Sequence, residues 1–137
     1  MCNQELELNL VAFDVEKHVT YWCSSGKEDL DTAELLIASQ KLRHGLFFAH
    51  LALEKSIKAH ICRCTQDLAP RSHNLLRLHE KTNLNLTRSQ KEFIARFDRY
   101  QLEGRYPEFW PARIDKETAQ IELREAKELF HCLINQL

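Results

Sequence analysis

The chain contains little glycine, little proline and no long apolar run. Three glycines and three prolines occur among 137 residues, and no internal repeat or low-complexity tract appears, so we expect one domain spanning residues 1–137. The longest uncharged apolar run, Gly45 to Leu53, is far shorter than the roughly 20 residues of a membrane-spanning helix. The first nine residues have no basic segment and no apolar run of the kind found in secretory signals. These absences predict a cytoplasmic protein without membrane association.

Charge and cysteine content limit the ligands and metal sites that we expect. Nineteen basic and twenty acidic residues give a net charge of −1, so nucleic acid could be bound only through a local basic patch. The five cysteines are an odd number scattered through helical pattern, which favours reduced thiols that pack as small hydrophobic groups. His60 and Cys64 have a metal-compatible spacing, but no second pair completes a site. We therefore predict neither a metal nor another cofactor.

The most apolar stretch, Leu42 to Cys64, predicts a central helix. At about 100° per residue, its apolar side chains cover opposite faces of the helical wheel, so neighbours must pack on both sides. Its polar residues are then informative. Glu54 and Lys58 have the favourable i, i+4 order of an ion pair. Lys55 points to the second apolar face, where it either extends to solvent or contacts a phosphate.

Helical periodicity continues on both sides of this stretch and predicts an all-α, up-and-down bundle of four to five helices. Thr87 and Gln90 form the pattern of a capping box, Gly104 is expected just beyond the end of that helix, and Asp115 is expected to cap the last one. For the alternating segment 1–12 we predict a loop, because a lone strand has no partner. The predicted helices cover residues 13–39, 42–64, 74–81, 87–104 and the segment after Asp115.

Several motifs occur in a fixed order along the chain. They are Asp29-Leu30, FFAHLALEKSIKAHI at 47–61, the HxLxxL pattern from His73 to Leu78, and Tyr100 followed by RYP at 105–107. In this order they resemble the HEPN domain, and specifically the branch often encoded next to minimal nucleotidyltransferases. The resemblance extends over about residues 15–136. It implies a helical bundle, commonly a homodimer, with roles in RNA or nucleotide binding and a nucleotidyltransferase partner in a toxin–antitoxin-like system.

The resemblance also implies an activity, because many HEPN proteins are metal-independent ribonucleases. Their R-x4–6-H motif lies near the end of the helix before the last one and is usually followed by a tyrosine. Such cleavage needs a base for the 2′-hydroxyl, an acid for the leaving oxygen and a cation for the phosphorane. In this chain the matching region lacks the histidine, since none occurs between Glu80 and His131. The arginines and tyrosines present there are Arg96, Arg99, Tyr100, Arg105 and Tyr106.

Two Arg–His pairs with the motif's spacing occur elsewhere. Arg43 and His50 belong to the central helix, where His50 is expected to be a hydrogen-bonded core residue. Arg124 and His131 belong to the last helix and point away from its core stripe. They are the weak candidates for catalysis. The alternatives are a solvated helix face, a dimer cleft or a binding site.

The segment from Arg105 to Arg113 is the best local candidate for ligand binding. Its arginines, with Arg99, supply positive charge, while Tyr100, Tyr106, Phe109 and Trp110 supply stacking surface for a base. The alternative is a loop pinned by its aromatics, with arginines paired to Asp98, Glu103 or Glu108. His73 is either a ligand-facing imidazole or a helix cap. The predicted nucleotide- or RNA-binding residues are Arg99, Tyr100, Arg105, Tyr106, Lys55 and His73.

Three functions follow from these patterns. The first is a nucleotide- or RNA-binding module, a homodimer acting with a minimal nucleotidyltransferase. The second is a metal-independent ribonuclease that uses Arg124 and His131, or Arg99 with a histidine from elsewhere. The third is a non-catalytic adaptor whose outer helix faces bind a protein.

Overall fold

The structure is a computed structural model that describes residues 13–109 and 113–137. These residues contain no strand, which confirms the all-α prediction. No helix among them has the continuous apolar length of a membrane span. The segment 1–12, predicted as a loop, lies outside the described residues. The helices are α1 (Val15–Ala38), α2 (Leu42–Thr65), α3 (Leu75–His79), α4 (Arg88–Phe97), α5 (Arg99–Arg105), a 3-10 helix (Pro107–Phe109) and α6 (Lys116–Asn135).

Helix α2 is the centre of the bundle, as its two apolar faces predict. It packs against α1, α3, α5 and α6, and 13 of its 24 residues are buried. Leu46, Leu53 and Ile57 on α2 are fully buried in the main core, which also receives Phe97 from α4 and Phe130 from α6. Each buried polar side chain on α2 must therefore find a hydrogen-bond partner within the protein.

Local sequence signals fix where the helices begin. The Asp14 side chain accepts a hydrogen bond from the backbone N–H of Lys17 and caps α1. Thr87 and Gln90 form the predicted capping box of α4. Asp115 caps α6, as predicted, by accepting from the backbone N–H of Thr118 at 2.7 Å. These caps satisfy amide groups that have no partner within their own helix.

The single helix predicted from Thr87 to Gly104 is wrong, because the chain divides into α4 and α5 at Asp98. The predicted role of Gly104 at the helix end is also wrong. Gly104 lies within α5, which continues to Arg105, and a Cβ atom there would lie 2.3 Å from Cδ2 of Phe47. This glycine is needed because α5 approaches α2 closely.

Candidate functional site: a polar stripe on the central helix

One face of α2 carries a row of mainly polar side chains, which we call the α2 stripe. Its members are three or four residues apart, so they lie above one another on one side of the helix. Each member meets a side chain from another part of the chain, and two of them are charged groups that are almost completely buried. The α2 stripe consists of Arg43, Phe47, His50, Glu54 and Lys58.

His50 lies in the middle of the α2 stripe and is fully buried, as predicted. Its Nε2 atom is 2.8 Å from Oδ1 of Asp98, and the same carboxylate oxygen accepts the backbone N–H of Leu75 at 3.1 Å. Asp98 therefore joins α2, the start of α3 and the α4–α5 junction at one point. The ring of His50 also stacks parallel to Phe97, with centroids 6.4 Å apart.

Glu54 is only 3% exposed, yet its carboxylate has two polar partners. Oε2 accepts a hydrogen bond from Nζ of Lys58 at 3.1 Å, which confirms the predicted i, i+4 pair. Oε1 is 3.0 Å from Nδ1 of His73. Because an ionised carboxylate can only accept, Nδ1 carries the hydrogen and Nε2 of this ring is left for another partner. Lys58 also lies over the ring of Trp22, 5.3 Å from its centroid.

His73 therefore does not cap a helix, and that alternative is wrong. The cap of α3 is Asn74, whose side chain accepts the backbone N–H of Arg77. The imidazole of His73 is 45% exposed and is oriented from behind by the buried Glu54. Of the two alternatives for His73, the side chain that reaches solvent is the one compatible with this geometry.

At the other end of the α2 stripe, two arginines approach one buried carboxylate. Nη1 of Arg43 lies 3.9 Å from Oε2 of Glu103, and Nε of Arg99 donates to Oε1 of the same residue at 2.9 Å. The bond to Glu103 is the main reason that the pKa of Arg99 is raised above its ordinary value. Glu103 thus meets one guanidinium from α2 and another from α5.

A depression of about 450 Å³ opens beside this end of the α2 stripe. Residues just before and at the start of α2 line one side, and residues just before α6 line the other. The basic side chains around the depression are Lys41, Arg43, His44 and Arg113. Lys41 and His44 were not among the predicted site residues, although three basic residues within Lys41–His44 were a readable signal.

Arg105 is the last residue of α5 and is followed by two exposed aromatic side chains. The guanidinium carbon of Arg105 lies 5.4 Å from the ring centroid of Phe47, one turn along α2 from Arg43. Tyr106 and Phe109 are 47% and 53% exposed, and their ring centroids are 6.2 Å apart. This surface joins arginine charge to exposed aromatic rings, the combination predicted for the segment 105–113. Trp110 lies outside the described residues.

Two of the predicted binding residues are held by contacts within the protein. Tyr100 is only 4% exposed and packs edge-on against Phe97 in the core, so it offers no open stacking face. Burial, as the largest cause, raises the pKa of its phenol to about 12. Lys55 lies on a different face of α2, where Nζ is 2.7 Å from both Oδ2 of Asp29 and Oγ of Ser25.

The weak catalytic candidates Arg124 and His131 lie exposed on α6. His131 contacts the edge of the Phe130 ring, with centroids 5.7 Å apart.

His60, considered above as a possible metal ligand, has a partner within the protein. Its Nε2 atom bonds the carbonyl oxygen of Leu133 at 2.7 Å, and burial lowers the pKa of His60. Within 13–109 and 113–137, no group of three or more His, Cys, Asp or Glu side chains could hold a metal ion.

These observations define a class: a small helical bundle whose central helix carries a buried charged stripe that ends at a basic surface. Comparison with known families identifies the family of this chain. Residues 19–137 match the HEPN domain model, and the chain belongs to the HEPN family. This membership supports a nucleotide- or RNA-related module in general terms.

A solved structure shares this fold at low sequence identity. The crystal structure of TT1696 from Thermus thermophilus superposes with a TM-score of 0.76, covering 87% of this chain and 98% of that one at 20% identity. At that identity the similarity shows the fold alone. No curated protein sequence matches this chain.

Proposed function

We propose that this HEPN-family chain is a nucleotide- or RNA-binding module that works as a homodimer with a minimal nucleotidyltransferase, in a toxin–antitoxin-like system. The single observation that carries the binding proposal is the basic depression at the start of α2. Arg105 at the end of α5 and the exposed rings of Tyr106 and Phe109 add an arginine and stacking surface. Because the whole chain has a net charge of −1, this local concentration of positive charge is what would attract a phosphate.

The proposed binding mode assigns different tasks to the charged and aromatic residues. Lys41 and Arg113 would hold phosphate groups in the depression, where the guanidinium of Arg113 can form paired hydrogen bonds with phosphate oxygens. Tyr106 and Phe109 would stack against bases, since an exposed aromatic ring accepts any base without a strict sequence requirement. Single-stranded RNA fits both tasks because its bases are free to stack.

The first prediction tests this site with a short single-stranded oligoribonucleotide. Arg105→Ala and Tyr106→Ala should each weaken binding, measured by fluorescence anisotropy, while leaving the thermal midpoint nearly unchanged. The share due to Arg105 should shrink with added salt, because phosphate contacts release counterions. The share due to Tyr106, about 1–3 kcal/mol for a stacked base, should persist.

Arg124→Ala is the matched control, because Arg124 is also an exposed arginine but lies on α6. An equal loss of affinity in this control would mean that binding is unspecific electrostatics. If the wild-type protein binds no oligonucleotide at low salt, the binding proposal fails and the adaptor function takes its place.

A metal-independent ribonuclease is the second candidate, and one specific observation favours it. His73 has its Nδ1 atom on the buried carboxylate of Glu54 and is exposed to solvent. A carboxylate that fixes one ring nitrogen and leaves the other for the substrate is the arrangement of a general base. If the protein cleaves RNA in EDTA, His73→Ala should abolish cleavage and His131→Ala should not.

The nucleotidyltransferase partner rests on the resemblance to one branch of the family. An adjacent gene for a small nucleotidyltransferase would supply the protein to test, and co-expression followed by size-exclusion chromatography would show a complex. Separate elution of the two proteins at micromolar concentration would contradict the partnership without affecting the binding proposal.

A further inference from the structure

The depression at the start of α2 is lined by basic side chains and, within the described part of the chain, by no acidic one. Neither Lys41 nor Arg113 forms an ion pair with another described residue. Arg43 differs from them, because its Nη1 atom lies 3.9 Å from Oε2 of Glu103. Lys41 and Arg113 therefore keep their positive charges for an anion that enters the depression.

The backbone adds positive charge on the α2 side of the depression. Lys41 is the N-cap of α2, a helix of 24 residues, and its side chain makes no capping hydrogen bond. The first hydrogen bond along the helix is donated by the N–H of Gly45 to the carbonyl oxygen of Lys41, at 2.9 Å. The N–H groups of Leu42 and His44 precede it and have no acceptor among the described residues. N–H groups of this kind carry partial positive charge and attract anions.

These cations indicate which kind of phosphate suits the depression. A phosphate inside a strand is a diester with one negative charge and two free oxygens. A phosphate at the end of a strand has three free oxygens and about −1.5 to −2 charges near pH 7. Because two unpaired side chains and the start of α2 meet the same depression, the terminal group can use more of their donors and charge.

The size and the apolar part of the lining agree with a single terminal nucleotide. The depression has a volume of about 450 Å³, which lies within the range of small-molecule sites. Leu42 and Ile114 line it together with the basic residues, and they offer apolar contact to a sugar. One nucleotide can therefore occupy the depression while the rest of a strand continues outside it.

We infer that the depression binds the terminal phosphate of a nucleotide ligand, held by Lys41, Arg113 and the N–H groups at the start of α2. This inference rests on the proposed function and names the chemical group that occupies the same site. It predicts that a strand ending in a phosphate binds more tightly than the same strand ending in a hydroxyl.

The test uses the full chain and three 2′-O-methyl hexauridylates, which cannot be cleaved through their 2′ oxygens. One strand has a 5′-phosphate, one has a 3′-phosphate, and one has a hydroxyl at both ends. Titration calorimetry should give about tenfold tighter binding for at least one phosphorylated strand, roughly the factor of one additional hydrogen bond to a charged group. This preference should decrease as salt is added, because salt screens the charges.

Lys41→Gln and Arg113→Gln each remove one positive charge and keep a polar side chain. Both variants should lose most of the preference for the phosphorylated strand. Both should keep the thermal midpoint of the wild-type protein, because Lys41 and Arg113 are exposed. Arg124→Gln is the matched control, since it removes an exposed arginine from α6, and it should keep the preference.

Each other outcome contradicts a defined part of this argument. Equal affinity for the three strands overturns the inference and leaves the proposed function standing. A preference that survives in both Lys41→Gln and Arg113→Gln, or that Arg124→Gln also loses, overturns the inference because the phosphate is then held elsewhere. If none of the strands binds at low salt, the proposed function fails together with the inference.

Discussion

At the scale of single residues, the same residue type has opposite environments in this protein. Tyr100 and Tyr106 both belong to the family-like motif, yet Tyr100 is buried against Phe97 and Tyr106 is about half exposed. The histidines divide in the same way, because His50 is enclosed between Asp98 and Phe97 while His73 reaches solvent. Residue identity alone therefore does not tell which tyrosine or histidine can meet a ligand.

The buried phenol of Tyr100 gives a pH prediction. Its pKa in the folded protein, about 12, is higher than the ordinary value of about 10 expected in the unfolded chain. A group whose pKa is raised on folding contributes stability that is complete below its unfolded value. That stability is lost as pH rises from about 10 through 12. Denaturant unfolding should therefore show falling stability over this range.

Ultraviolet titration of phenolate can assign that effect to Tyr100. The wild-type protein should show one ionisation step near the upper end of the range, and Tyr100→Phe should lack it. Tyr106→Phe should retain it, because this change removes an exposed phenol hydroxyl and leaves the buried one of Tyr100 in place. A late step that survives in Tyr100→Phe would show that another group causes it.

At the scale of elements, the interface between α2 and α5 positions the basic surface. Gly104 allows α5 to lie against Phe47, and this contact brings Arg105 over the Phe47 ring. Asp98 anchors the other end of α5 by holding His50 and the start of α3. The positions of Arg99 and Arg105 therefore depend on tertiary contacts at the two ends of this small helix.

Gly104→Ala tests that interface. At an exposed helical position, replacing glycine by alanine stabilises a protein by about 0.4–1 kcal/mol. Here the new Cβ would lie 2.3 Å from the Phe47 ring, so we expect a loss of about 1–3 kcal/mol as for other overpacked sites. Urea unfolding measures the change.

Phe47→Leu provides the background for a second measurement of the same substitution. In that background Gly104→Ala should cost less, because the planar ring that the Cβ meets is gone. A stabilising effect of Gly104→Ala in the wild-type background would mean that α5 does not approach α2 closely.

At the scale of the whole molecule, the remaining question is assembly. The family resemblance implies a homodimer, and exposed apolar side chains are available on the helix faces, including Leu35 on α1 and Ile121 on α6. A standard interface buries about 1,600 Å² in total. Sedimentation equilibrium at micromolar concentration should give a mass near twice 16.2 kDa.

Ile121→Asp is the corresponding interface variant, because a charge in an apolar contact is costly to desolvate. It should shift the equilibrium toward monomer, whereas Glu117→Gln, an exposed change one turn earlier on α6, should not. A wild-type protein that sediments only as the 16.2 kDa species would refute the homodimer.

Features that depend on neighbours along the chain could be predicted without knowledge of the fold. The central helix, the caps at Thr87 and Asp115, and the Glu54–Lys58 pair all involve groups within four residues of one another or a repeat of about 3.6 residues. Such patterns have the same geometry in any helix, so they can be recognised without the fold. The motif order that resembled HEPN was likewise readable, and the family match confirms it.

Contacts between residues far apart in the chain follow only from the way the helices pack. His73 approaches Glu54 and Asp98 approaches His50 across 19 and 48 positions of the chain, and Arg113 joins the basic residues at the start of α2 across a greater distance. The same packing buried Tyr100, divided the predicted helix at Asp98 and made Gly104 a contact point. A helical period gives the direction of each side chain around its own axis. It contains no information about which neighbouring helix lies there, and that neighbour decides whether a polar side chain is buried with a partner or left for a ligand.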